Sequence, residues 1–216
     1  SFAGSGTITN QITLGAPAVK ALTIMKQLAD STAADPSLTV QKENENRLAM
    51  EAGNAAFELN YPFVYPGMKT DNPKLFKVFK WALYPSVTAG QPAKVTIGGI
   101  DLAVSAYSQH KDLAFQAALC LRNRENQLIG ANVGGVPPTI ASLYNDPKLF
   151  ANYPFHADIL KALQNASVRP KTPVYQVVSI DISHQISPAA SINPVSTLQA
   201  MKGSLSNALQ SKGLVP

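Results

Sequence analysis

Thirteen carboxylates, three histidines and a single cysteine are the groups with which this 216-residue chain could do acid–base, metal or nucleophilic chemistry. Glycoside hydrolysis needs only two acids held at a fixed separation. The carboxylates here lie mostly on surfaces of predicted helices, as Glu43, Glu45 and Glu51 do, and spacing alone pairs none of them across a cleft. His110, His156 and His184 are far apart, and none has a His, Cys or carboxylate neighbour at ligand spacing, so each is expected to be a surface or structural residue. Cys120 cannot form an internal disulfide, and its run Phe115-Gln-Ala-Ala-Leu-Cys-Leu121 reads as the inner face of a helix, which predicts a small buried core residue. No phosphate-binding glycine loop, dinucleotide fingerprint, nucleophile elbow, zinc-protease helix or paired-cysteine pattern occurs. The enzymes most readable from sequence are thereby demoted, and no cofactor is expected.

The aromatic residues suggest a different chemistry. Tyr61, Phe63 and Tyr65 alternate with Pro62, Val64 and Pro66, and in an extended segment they would project to one common side. A short strand from Ala55 to Asn60 is expected to deliver them and to stop there, because proline cannot donate to a ladder. Lys80 to Pro85 is a second strand candidate, followed by a hinge-like Thr88-Ala-Gly-Gln-Pro92. From Lys94 the chain reads strand, Gly98-Gly99, strand (Ile100 to Val104), then one helix from a Ser108 cap to about Leu128. Asn132 to Pro138 reads as an ordered loop.

Flanking these are helices. Val19, Leu22, Met25 and Leu28 give Ala16 to Asp30 one buried stripe. A helix from about Asn44 to Ala52 ends on Gly53 at the position that favours a left-handed residue. Further helices are expected from Phe155 to Asn165 and from Val174 to Ile186. The last opens on Asn193-Pro194 and buries Leu198, Met201, Leu205 and Ala208.

A 45% hydrophobic, 14% charged composition can bury a core, and no run approaches a membrane span. The net charge of +5 raises the question of nucleic acid. The basic residues are scattered, with Lys74, Lys77 and Lys80 at most one solvated helix face, so no nucleic-acid partner is expected.

Four motifs in order, Arg47 through Tyr65, Ile97-Gly-Gly-Ile-Asp-Leu-Ala-Val-Ser105, Gly134-Gly-Val-Pro137 and Val168-Arg-Pro-Lys-Thr-Pro-Val-Tyr175, resemble the family 1 extracellular solute-binding proteins of carbohydrate ABC importers. The likeness is closest to their trehalose-binding lipoprotein members. It implies an α/β fold of the two-lobed periplasmic-binding-protein type II class, here only its C-terminal portion. Residues 1–92 would then belong to the C-terminal lobe, 93–166 to the N-terminal lobe and 167–216 to C-terminal-lobe helices. The missing N-terminal half would come from elsewhere, possibly as a separate chain. Implied function is binding, not catalysis: a small carbohydrate, trehalose or a related disaccharide, held between lobes and passed to ABC permease membrane subunits. The implied location is outside the cytoplasmic membrane or in the periplasm, on a lipid anchor carried by an N-terminus this chain lacks.

The resemblance also implies the site. Tyr61 stands where relatives carry a tryptophan that stacks on a sugar ring. Gly99 and Ile100 match a Gly-Gly-aromatic segment whose main chain approaches the sugar, with Ile100 replacing the aromatic. Arg169 matches an Arg-Pro arginine that holds sugar hydroxyls or an acid beside them. Asn60, Tyr65 and Asp101 join by adjacency. A maltose-like sugar, an oligosaccharide or a glycerol phosphodiester remain alternative ligands, and a carbohydrate-active hydrolase the alternative class.

Overall fold

A computed structural model describes residues 14–212. Among them, the chain divides into two compact units: 47–169 as one, and 14–46 with 170–212 as the other.

The second unit is helical. Helix α1 (Ala16–Ala29), with Pro17 in its first turn, buries Leu22 against α9 (Tyr175–Ile186) and α10 (Pro194–Leu209). In α10 the Asn193 side chain accepts from Ser196 N at 3.1 Å, and Leu198, Met201, Leu205 and Ala208 form the buried stripe. Spaced three, four and three residues apart, these side chains share one helix face and close a core with Val178 and Ile192. Asp181, buried on α9, accepts from Ser204 Oγ of α10 at 2.6 Å, so its desolvated charge is partnered.

Helix α2 (Glu43–Glu51) leads into the first unit and ends before Gly53, whose φ of +82° is the left-handed turn expected there. Next come α3 (Val64–Asp71) and α4 (Pro73–Phe76), the latter capped by the Asn72 side chain on Leu75 N. Helices α5 (Lys111–Leu121), α6 (Arg124–Gly134), α7 (Pro147–Phe150) and α8 (His156–Asn165) complete it. Ala131, Tyr144, Leu149, Tyr153 and Ile159 form its core, ringed by Leu128, Phe150, Phe155, Leu160 and Leu163. The turn after α6 is pinned: Gln127 Oε1 accepts from Thr139 N at 2.8 Å, and Tyr144 donates its hydroxyl to Pro138 O at 2.7 Å.

Several local expectations are corrected. The stretch expected as one helix from Ser108 to Leu128 is two, because Asn123 turns its side-chain oxygen onto Asn126 N at 2.8 Å and starts α6 afresh. Ser108 instead accepts from His110 N within a turn, and helix begins at Lys111. Cys120 is exposed, not buried, since the half-covered edge of α5 is Ala114 and Ala118. Tyr61, Phe63 and Tyr65 do not alternate along a strand. Helix starts at Val64, with Pro66 in the first turn where a missing N–H costs nothing, and this winds the rings apart. Residues 55–60, 80–85 and 100–104, each expected as a strand, form none; among the described residues the β-pairing present is a parallel bridge between Thr96 and Ser167.

Candidate ligand-binding site

That bridge assembles the most suggestive group of residues. Ile97 N donates to Ser167 O at 2.9 Å and Ser167 N to Val95 O at 2.8 Å, which lays the segment before Arg169 alongside the one before Gly98. The Arg169 guanidinium then donates to Ile97 O at 3.0 Å, across 72 positions of sequence. A Cβ on Gly98 would stand 3.5 Å from Arg169 Nη1, an ordinary van der Waals contact, so the Ile97 carbonyl rather than a bare glycine seats the guanidinium. The other donors of the fork have no partner among the described residues.

Just beyond lie Gly99, where an added Cβ would meet nothing within 4 Å, and Ile100 and Asp101, both exposed, Ile100 at 80%. Nothing among the described residues demands glycine at 99. Its main chain is instead open to close approach from outside.

A second group sits before α3. Tyr61 is 49% exposed and its ring takes part in none of the ring pairs described, which leaves a face free for stacking. Its N–H donates to Asn60 Oδ1 at 2.8 Å, fixing the turn. Glu58, which sequence reading passed over as a strand residue, has one carboxylate oxygen shielded from solvent without a hydrogen-bond partner among the described residues. The other oxygen receives only a long 3.5 Å contact from Asn60 Nδ2. Burial pushes this carboxyl above its ordinary range, partly offset by that contact. A carboxylate in an otherwise apolar run, Ala55-Ala-Phe-Glu-Leu59, was the available signal.

Tyr65 differs from its neighbours. It is 8% exposed, and its ring meets Phe76 at 4.8 Å, Phe155 at 5.0 Å, Trp81 at 5.7 Å and Phe79 at 6.3 Å. This is an aromatic core, and burial raises the Tyr65 hydroxyl's pKa. His156 is structural: it stacks on Phe150 at 3.9 Å with Nδ1 2.7 Å from Tyr144 O. Among the described residues no cluster of three or more His, Cys, Asp or Glu forms, and no helix is long and apolar enough to cross a membrane.

Exposed aromatic face, open glycine backbone and a guanidinium with spare donors are groups for holding a polyhydroxylated ligand, with apolar ring faces stacked and hydroxyls paired.

No family model matches the chain. It is 36% identical over 176 residues to a probable ABC transporter-binding protein of Deinococcus radiodurans, a match covering 80% of this chain and 41% of that protein. Among solved structures it is similar to a maltose-bound T. maritima MalE3, with a TM-score of 0.80 and 26% identity, covering 88% of this chain and 50% of the other. The chain thus spans about half the length of the relatives it matches. Its fold is that of the periplasmic binding proteins, in part and rich in helix, and its relatives are binding proteins of ABC transporters rather than enzymes.

Proposed function

We propose that this chain is the C-terminal portion of the substrate-binding component of an ABC sugar importer, which takes trehalose or a related disaccharide between two lobes and delivers it to the permease. Residues 1–92 and 167–216 belong in this reading to one lobe and 93–166 to the other. Export to the outer face of the membrane, on a lipid anchor, is part of the same proposal. The observation that carries it is the Arg169 guanidinium, held on Ile97 O at 3.0 Å beside Gly98, with no other partner among the described residues. Arg169 and Asp101 would pair with sugar hydroxyls, Gly99 and Ile100 would bring main chain against the sugar, Asn60 would set the turn and Tyr61 would stack. Tyr65 would support Tyr61 from the core. No bond is broken: closure of the lobes traps the ligand and forms the surface the permease reads.

Titration calorimetry with trehalose, maltose and sucrose, on the complete two-lobed protein and on its Arg169→Ala variant, tests this. A saturable response lost in the variant supports the reading; silence from folded protein toward all three removes the disaccharide. A maltose-like ligand is the second reading, favoured by the maltose in the similar solved structure.

A further inference from the structure

Between residues 57 and 61 the apolar side chains are the exposed ones and the polar side chains are turned toward protein. Phe57 is 92% exposed, Leu59 54% and Tyr61 49%, whereas Glu58 and Asn60 between them are half-buried. Burying a polar group costs free energy unless it is paired, and Glu58 is paired poorly. Its Oε1 is shielded without a partner among the described residues, and Oε2 meets Asn60 Nδ2 only at 3.5 Å.

The Asn60 amide joins this carboxyl to the candidate stacking residue. Asn60 Oδ1 accepts the Tyr61 N–H at 2.8 Å, so Nδ2 is the end turned to Glu58. Ionised Glu58 can only accept, and reversing the amide would set oxygen against oxygen at one end and N–H against N–H at the other. Protonated Glu58 carries a donor. It can then hold the reversed amide through Oδ1, and the Tyr61 N–H gives up its acceptor.

We infer that Glu58 is a positioning residue for Tyr61: its ionised carboxylate, acting through the Asn60 amide, fixes the turn that presents the Tyr61 ring, and its protonation frees that ring and weakens ligand binding. The effect on affinity rests on the proposed sugar reading; the coupling of Glu58 to Tyr61 does not.

The surrounding charges set where the change falls. Burial raises the Glu58 carboxyl above its ordinary range and the Asn60 contact opposes this, while of the charges on α2 Glu51 raises it further and Arg47 lowers it. Asp71, at the end of α3, accepts from the same Arg47 nitrogen as Glu51 and so tempers that lowering. The ring is therefore held above a pH higher than that at which an exposed glutamate titrates, and freed below it.

The test uses the complete two-lobed protein with isotope-labelled glutamate and tyrosine, observed by NMR as the pH is lowered from neutral. Without any sugar, the Glu58 carboxyl and the Tyr61 ring are expected to shift with one shared midpoint. Glu58→Gln keeps an acceptor for Asn60 but no charge, and in it the Tyr61 shift over that range is expected to vanish. In Asn60→Ala, Glu58 is expected to titrate still and Tyr61 no longer to follow. Calorimetry with trehalose, maltose and sucrose gives the functional readout. Affinity for whichever sugar binds should fall about threefold or more below the midpoint, because a charge-assisted hydrogen bond is about twice as strong as a neutral one. In Glu58→Gln it should not change across that range.

Failure of Tyr61 to move with Glu58 overturns the inference, as does the same movement in Glu58→Gln or Asn60→Ala, or equal sugar affinity on both sides of the midpoint. If Asn60→Ala does not fold, Glu58→Gln decides. Silence toward all three sugars while Tyr61 still follows Glu58 sinks the disaccharide and supports the coupling; sugar binding without the shared midpoint sinks the coupling alone.

Discussion

Replacing Arg47 by methionine isolates the charge that ties α2 to α3. One guanidinium nitrogen donates to Glu51 Oε1 at 2.8 Å and to Asp71 Oδ2 at 2.6 Å. The Asp71 hydrogen bond is the larger cause of the guanidinium's raised pKa, yet that carboxylate is 49% exposed and can recover water when released. Its loss should cost at most about 1 kcal/mol. Glu51 is the expensive partner: its side chain is 9% exposed against 13% for Arg47, so methionine strands a shielded carboxylate. Removing one member of a fully buried pair costs about 3–5 kcal/mol. An i,i+4 pair at the surface of a helix, with some water access, should fall below that range, and the expected total is about 2–3 kcal/mol. Urea unfolding followed by Trp81 fluorescence measures it, because the only tryptophan packs 5.2 Å from Phe155 and 5.7 Å from Tyr65 in the same unit. Adding Glu51→Gln to Arg47→Met removes the stranded charge and should return at least half of the loss. A single-variant effect below about 1 kcal/mol, or no recovery in the double variant, would refute the reasoning.

Gly135 follows α6 at φ +70°, and a Cβ there would come within 3.2 Å of Pro66 Cγ. Gly135→Ala should therefore cost about 1–2 kcal/mol in the same assay, from the left-handed backbone and from the proline that must shift. Glu58 gives a pH dependence. Burial raises its folded-state pKa above the ordinary 4.5, so the folded state holds the proton more tightly and its contribution to stability is full below that value. The contribution is lost as pH rises through the raised value. Glu58→Gln should match the parent in stability near pH 3 and exceed it at pH 7; equal pH profiles would count against the shielded carboxylate.

What the sequence disclosed and what it hid divide along a physical line. The helices α1, α9 and α10 were legible because their determinants are local: a cap at Asn193, a proline beside it, and a stripe at helical spacing that closes on its own neighbours. Residues 80–85 and 100–104, expected as strands, form none among the described residues, since a strand is completed by a partner and their composition cannot say whether one is present. Cys120 failed for the same reason: its apolar surroundings describe a buried helix face, and this chain leaves that face open. Tyr65 failed differently, since period-two alternation was assumed through a segment where Pro62 precedes a helix and Pro66 sits in its first turn. The Arg169 seat lay beyond local reading altogether, because a hydrogen bond across 72 positions depends on one parallel bridge and leaves no periodicity. At 80–85, 100–104 and Cys120 the misses share one cause: ladders and burial are completed by residues distant in sequence, which local composition does not name.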